Sequence, residues 1–357
     1  LRRERAVEFL DQLREENRLD AILITELANV WYLTGFSGSE GAVVYSRKGR
    51  WFFSDFRYRD QARQEISGFK IVIFRNKFRE IAKVLKKLGG RRIGFEASIT
   101  QQLLAAYKKE LAGSKFIPLK KSLAQVRAIK DRDEIASIKA AVRIAEKALE
   151  KALPGFKAGV SELEFAAELE FQLRQAGSGW FPFETIVASG PRAALPHGTA
   201  TRKKIQKGEL VVIDFGATFQ GYASDLTVTV AAGEPGKNAR RVYETVSQAQ
   251  KQAIAGVAKG RRGQEIDALA RGYIKRHGYG RYFGHGLGHG LGLMVHEEPV
   301  LNHKSETALL PGMVFTIEPG IYLPQRLGVR IEDDLLLNEQ EKVLILSHSN
   351  RPLRVFE

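Results

Sequence analysis

No cysteine occurs among the 357 residues. Disulfides and thiolate metal sites are therefore excluded, and any metal must be held by His, Asp or Glu. Ligands of that kind suit hard or borderline ions such as Mn, Co or Zn. Long apolar runs are missing too: none approaches the ~18 residues needed to cross a bilayer. The start, Leu1-Arg2-Arg3-Glu4-Arg5, leads into a charged helical pattern rather than a signal peptide. A cytoplasmic protein with no membrane partner is expected. Acidic excess is also lacking, for the net charge is +15. The basic residues come as scattered pairs, such as Lys86-Lys87, Arg91-Arg92 and Arg261-Arg262. No long basic run interleaves them with aromatics, so a solvated basic surface is expected and no specific nucleic-acid partner.

What is present suffices for two domains at roughly 100–200 residues each. Residues 5–18 have the spacing of an amphipathic helix, 21–24 of a strand, and 41–46 with 51–54 of a hairpin across 47–50. A strand at 70–74, a helix at 79–88, a strand at 92–95 and a helix at 100–111 follow. This alternation predicts a small α/β domain over 1–124. Two long helices are expected at 131–152 and 161–176, with Asp131 and Ser161 as caps and Pro154-Gly155 as the break between them. Strands and turns dominate from Phe183 onward, with helices at 239–258 and 263–277, so 125–357 reads as an α+β domain.

That second domain carries a faint internal repeat. Gly208 precedes Asp214 by six positions, and Gly312 precedes Glu318 by the same number. Each acid ends an apolar strand: Val211-Val212-Ile213-Asp214 and Val314-Phe315-Thr316-Ile317-Glu318. Each half has a His upstream, His197 and His296, and a second acid across a turn, Asp225 and Glu332. An acid at the end of an apolar strand is costly unless paired or metal-bound. Four in a repeated pattern suggest a pseudo-twofold site, and their four negative charges match two divalent cations. Alternate glycines across Gly284 to Gly292 bracket His285 and His289. They strip one face of a strand so that a substrate or another backbone can approach. This run contains no G-x-G-x-x-G, and His296-Glu297 fails the H-E-x-x-H pattern because Val300 stands where the second His is needed.

These residues resemble the pita-bread metallopeptidases, which include aminopeptidase P, prolidase, methionine aminopeptidase and the metal-free creatinase. The resemblance rests on Pro196-His197-Gly198, the Asp214 and Asp225 segments, Gly288-His289-Gly290-Leu291-Gly292-Leu293, His296-Glu297, Thr316-Ile317-Glu318-Pro319-Gly320 and Val329-Arg330-Ile331-Glu332-Asp333. Residues 29–41 resemble the creatinase-like N-terminal domain of the proline-specific branch. The implied fold is a pita-bread catalytic domain of pseudo-twofold halves behind a smaller creatinase-like α/β domain. The resemblance implies that Asp214 binds one metal, His289 and Glu318 the other, and Asp225 and Glu332 bridge them. Two divalent ions are implied, Mn first and Co or Zn as substitutes, with a bridging hydroxide as nucleophile. Glu318 would pass its proton to the leaving nitrogen. His197 and His296 would flank the substrate carbonyl, His285 would support a ligand or relay protons, and Arg330 would orient Glu332. A homodimer is implied as well.

The implied substrates are peptides with proline in second place. A bond to proline is a tertiary amide with no N–H, so peptidases that grip that N–H fail on it. Phe183 matches the family's ring pocket, His296 would form another side, and Trp180 and Phe181 are weaker pocket candidates. Prolidases carry an Arg shortly after the His-Glu-x-Pro segment, whereas here Val300 follows Pro299. That departure favours Xaa-Pro aminopeptidase activity over Xaa-Pro dipeptidase activity, unless Arg192 or Arg326 substitutes. A creatinase-like amidinohydrolase and a non-catalytic binding protein on the same fold are the remote alternatives. The complete ligand set argues against both.

Overall fold

The structure is a computed structural model and describes residues 2–347 and 352–357. The chain forms two compact units, Leu1–Arg127 and Ala128–Glu357. The expected boundary at 124/125 falls inside a short helix, Leu123–Ala128.

The first unit holds a six-stranded mixed sheet. In spatial order the strands are Lys70–Phe74, Gly49–Asp55, Ala42–Ser46, Ala21–Ile24, Arg92–Glu96 and Lys115–Leu119. The hairpin turn is tighter than the sequence suggests. Pairing runs on to Ser46 and Gly49, so only Arg47 and Lys48 connect the strands. Leu27–Thr34 forms a helix that periodicity did not announce. Its Val-Trp-Tyr stretch favours strands by local preference, and tertiary context overrides that preference. Asn29, wholly buried in this helix, donates to the buried Glu96 carboxylate at 2.7 Å.

The second unit begins with two helices, Arg132–Ala152 and Glu162–Gln175. Both carry a full capping box, Asp131 with Glu134 and Ser161 with Glu164, which satisfies the free N–H groups of the first turn. One sheet has the order Val355–Phe356, Leu226–Ala232, Glu209–Phe215, Ile186–Ser189. The other has the order Glu297–Leu301, Gly288–Gly290, Val314–Ile317, Asp333–Leu337, Val343–Ile345. A two-stranded ribbon, Gly320–Leu323 with Leu327–Arg330, leads into Glu332. The strand that carries Asp214 and the strand that Glu318 follows thus lie one in each sheet. Helices Lys237–Ala255 and Gly263–Arg276 pack over the second half through Val242, Val246, Ala249, Ile266 and Ala270. This is the α+β pita-bread architecture. Among the described residues no helix is long and apolar enough to cross a membrane.

An isolated backbone bridge joins Thr227 of the first sheet to Glu332, which immediately precedes the Asp333–Leu337 strand of the second. The Glu332 N–H donates to the Thr227 carbonyl at 3.0 Å. The glycine run serves this packing. A Cβ at Gly288 would collide with the Thr316 carbonyl, and one at Gly290 with the Glu298 carbonyl. Of the two uses open to the alternate glycines, close approach of another backbone is therefore the one realised at these positions.

Candidate metal centre

Four short segments deliver the acids. Asp214 is the penultimate residue of its strand, and Asp225 immediately precedes the antiparallel partner, in which Thr227 pairs with Asp214. Both carboxylates therefore sit at one end of the same hairpin. Glu318 follows Val314–Ile317 and is held by its N–H, which donates to the Leu287 carbonyl at 2.8 Å. Glu332 follows the ribbon, and its Oε2 accepts from the Thr227 hydroxyl at 2.7 Å. His289 stands in the middle of Gly288–Gly290.

Three groups of these side chains offer atoms lying within 4.8 Å of one another: Asp214, Asp225 and Glu332; His289, Glu318 and Glu332; and Asp225, His289 and His296. The first two share Glu332, so the arrangement presents two adjoining cation positions with a common carboxylate. His289 Nε2 lies 3.6 Å from Asp225 Oδ2 and 3.6 Å from Glu318 Oε1. These separations are too long for hydrogen bonds. The other ring nitrogen, Nδ1, is 3.1 Å from the Gly290 carbonyl, an acceptor, and so carries the proton. The Nε2 lone pair is thereby aimed at the carboxylates, which repels unless a cation or a proton intervenes. Asp214 Oδ1 is buried without a hydrogen-bond partner. The donor set and this orphaned oxygen fit a pair of divalent cations.

The electrostatics of the protein alone say the same. Burial, and then the charge of Glu332, raise the carboxyls of Asp225 and Glu318 well above the usual range. Burial, and then Asp214, push Glu332 up to about 8. Desolvation lowers His289 and His285 to about 4, so both are neutral at pH 7. Between about 4.5 and about 8 the folded metal-free protein keeps a proton on Glu332 that the unfolded chain releases. Stability then falls as pH rises through that window. Cations replace the proton, so their stabilisation should grow across the same window. Melting temperatures of chelator-treated and Mn-loaded protein should diverge from pH 5.5 to pH 8. A constant gap would mean that something else neutralises the cluster.

Arg330 is 4% exposed and all three nitrogens of its guanidinium donate hydrogen bonds. It donates to Asp214 Oδ2 at 2.5 Å, the Pro196 carbonyl at 3.0 Å, the Tyr322 hydroxyl at 3.0 Å and the Thr227 hydroxyl at 3.1 Å. Its ion pair is with Asp214 rather than Glu332, and Thr227 forms the link onward to Glu332. His285 Nδ1 bonds to the Gly286 carbonyl at 2.8 Å, which leaves Nε2 to accept from Tyr322 at 2.8 Å. The same imidazole lies 3.9 Å from Glu318. Tyr322, Thr227 and Asp334, whose carboxylate accepts the Asp225 N–H at 3.1 Å, were not singled out by the sequence. Thr227 and Asp334 contact the acids, and Tyr322 contacts Arg330 and His285, only through folding, and none of the three sits in a recognisable spacing.

A cavity of about 480 Å³ opens over the acids. Phe183, His197, His296 and Val300 line it, together with Asn302 and Thr199. The His289 and His296 rings lie 4.1 Å apart, edge to face. Glu297, beside His296, is buried against Lys130 at 2.9 Å. Trp180 does not line the cavity; it is 66% exposed and Arg174 stacks on it. Phe181 packs instead beside the core of the first half. Arg192 is turned away, bound to Glu162 and to the Thr199 carbonyl.

The family model described as metallopeptidase family M24 matches residues 136–339, which is the segment holding every one of these acids. The chain belongs to metallopeptidase family M24. Residues 5–129 match the creatinase/prolidase N-terminal domain. The metallopeptidases for which the family is described use divalent metals, and the acid and His cluster is the one place among the described residues where three or more possible ligands converge. An Xaa-Pro dipeptidase of Pyrococcus furiosus is 39% identical over 95% of both chains. A solved Xaa-Pro dipeptidase from Bacillus anthracis superposes with a TM-score of 0.92 at 42% identity, covering 98% of this chain and 100% of its own. A solved X-Pro aminopeptidase from Thermotoga maritima gives 0.91 at 37% identity, covering 98% and 99%.

Proposed function

We propose that this M24 peptidase hydrolyses the bond before proline in Xaa-Pro dipeptides, with two divalent ions, Mn first among them, held by Asp214, Asp225, His289, Glu318 and Glu332. The observation that carries the metal-dependent reading is the pair of ligand groups that share Glu332. Bound divalent ions supply Lewis acidity and lower the pKa of coordinated water towards ~7. The protein's own groups do the rest. Glu318 takes up a proton beside the cation sites and returns it to the proline nitrogen, which has no proton of its own and cannot leave without one. His197 and His296 donate to the carbonyl oxygen as negative charge develops on it. Phe183 packs against the proline ring, and Arg330 with His285 holds Asp214 and Tyr322 in place.

The dipeptidase reading replaces the aminopeptidase preference drawn from Val300. It is supported by the two Xaa-Pro dipeptidases above, at 39% and 42% identity, against 37% for the aminopeptidase. Among the described residues, Arg330 is the one arginine lining the cavity, and it is committed to Asp214. Neutral donors, Asn302 and Thr199 among the lining residues, are left to meet a terminal carboxylate. One hydrogen bond to a charged group is worth ~1.5–3 kcal/mol. Chelator-treated protein should be inactive and Mn should restore it. Under the same Mn, kcat/KM for an Xaa-Pro dipeptide should exceed that for its one-residue extension by about tenfold or more. Equal or better cleavage of the longer peptide would make the protein an aminopeptidase.

His296→Ala tests the oxyanion role. It should lower kcat by about 10²–10³-fold, the usual effect of losing one such donor. Metal content, read by elemental analysis, should be nearly unchanged. Loss of metal along with activity would make His296 a ligand, as its proximity to Asp225 and His289 also permits.

A further inference from the structure

One carboxylate grips both ends of the segment that carries His197. Glu162 opens the helix Glu162–Gln175, and its side chain is 0% exposed. Its Oε1 accepts from the N–H and the hydroxyl of Ser189, both at 2.8 Å. Its Oε2 accepts from Arg192 Nε at 2.9 Å, from the Thr201 N–H at 3.2 Å and from the Thr201 hydroxyl at 2.7 Å. Ser189 ends the strand Ile186–Ser189, and Thr201 lies just past His197. Arg192 adds a cross-tie within the same segment, donating to the Thr199 carbonyl at 2.6 Å.

Capping the helix does not require this arrangement. Ser161 and Glu164 already form the capping box. An acid in the first turn would satisfy the helix dipole from the surface. A buried carboxylate is costly unless it is saturated with donors, and here five donors from one loop saturate it. His197 itself is exposed and lines the cavity. An exposed imidazole on irregular backbone takes its position from what anchors that backbone.

We propose that Glu162 is a positioning residue for His197, clamping residues 189–201 so that the imidazole meets the substrate carbonyl. The proposal rests on the role given to His197 above. A double-mutant cycle with Glu162→Gln and His197→Ala tests it on the Mn-loaded full chain with an Xaa-Pro dipeptide. Gln keeps the size of the side chain but turns an NH₂ group against at least one donor. Glu162→Gln should lower kcat by about tenfold or more with metal content unchanged. In the His197→Ala background the same change should cost less than about twofold, because coupled residues do not add. Multiplicative losses, or a silent Glu162→Gln beside a damaging His197→Ala, would overturn the clamp while leaving the role of His197 intact. A silent His197→Ala would overturn the role of His197 itself, and the clamp with it. Thr201→Val, which removes one donor and spares the carboxylate, carries the same cycle should Glu162→Gln fail to fold. It should show a smaller loss that likewise vanishes without His197.

Discussion

Glu332→Gln should abolish nearly all turnover, with kcat reduced by about 10³-fold or more, equivalent to ~4 kcal/mol of barrier. The reason is its place in both cation groups. Gln preserves the size of the side chain and an acceptor for the Thr227 hydroxyl, which bonds to Glu332 at 2.7 Å. What it removes is the charge that both positions share. Asp225→Asn should behave alike, since Asp225 is buried with Glu332 and faces His289. The metal-free Glu332→Gln protein should still fold. At pH 8 and above it should melt higher than the metal-free wild type, because the wild-type carboxyl, pushed up to about 8, must then carry charge in a buried cluster. Elemental analysis should find less than the full metal complement. A variant that retained full metal and a tenth of wild-type kcat would remove Glu332 from the shared position.

Arg330→Met should be the most damaging substitution for stability. Breaking a buried ion pair by removing one partner costs ~3–5 kcal/mol, because the other charge is left uncompensated. Here that charge is Asp214, already beside Asp225 and Glu332. The Pro196 carbonyl, the Tyr322 hydroxyl and the Thr227 hydroxyl lose their donor in the same step. A shift of roughly 10 °C in melting temperature is expected at ~2–4 °C per kcal/mol. Arg330→Lys should recover only part of it, since an ammonium lacks the planar fork that reaches four acceptors at once. Added Mn should narrow the deficit of Arg330→Met by supplying positive charge at Asp214. A deficit that Mn leaves untouched would show that Arg330 serves packing alone.

The sequence by itself determined the elements whose causes are local. Asp131 with Glu134 and Ser161 with Glu164 stand at capping-box spacing, and both helices begin there. The two strands that deliver Asp214 and Glu318 are legible as apolar runs behind turn glycines, and the repeat foretells that each belongs to its own half. Residue type also bounded the chemistry, since without cysteine only His, Asp and Glu were left to bind a metal. Tertiary structure decided whatever depends on partners far apart in the chain. The helix Leu27–Thr34 forms against local preference, with Asn29 bonded to Glu96, 67 positions away. Arg330 pairs with Asp214, 116 positions distant, and not with its near neighbour Glu332. The acids at Asp225 and Glu332 meet because Thr227 bridges two sheets. Glu162 looks in sequence like one more helical acid, and only folding gathers five donors around it. Spacing records what a residue does to its own turn of chain. The company it keeps across a sheet or a loop is written in no spacing, because that company is set by how all the elements pack at once.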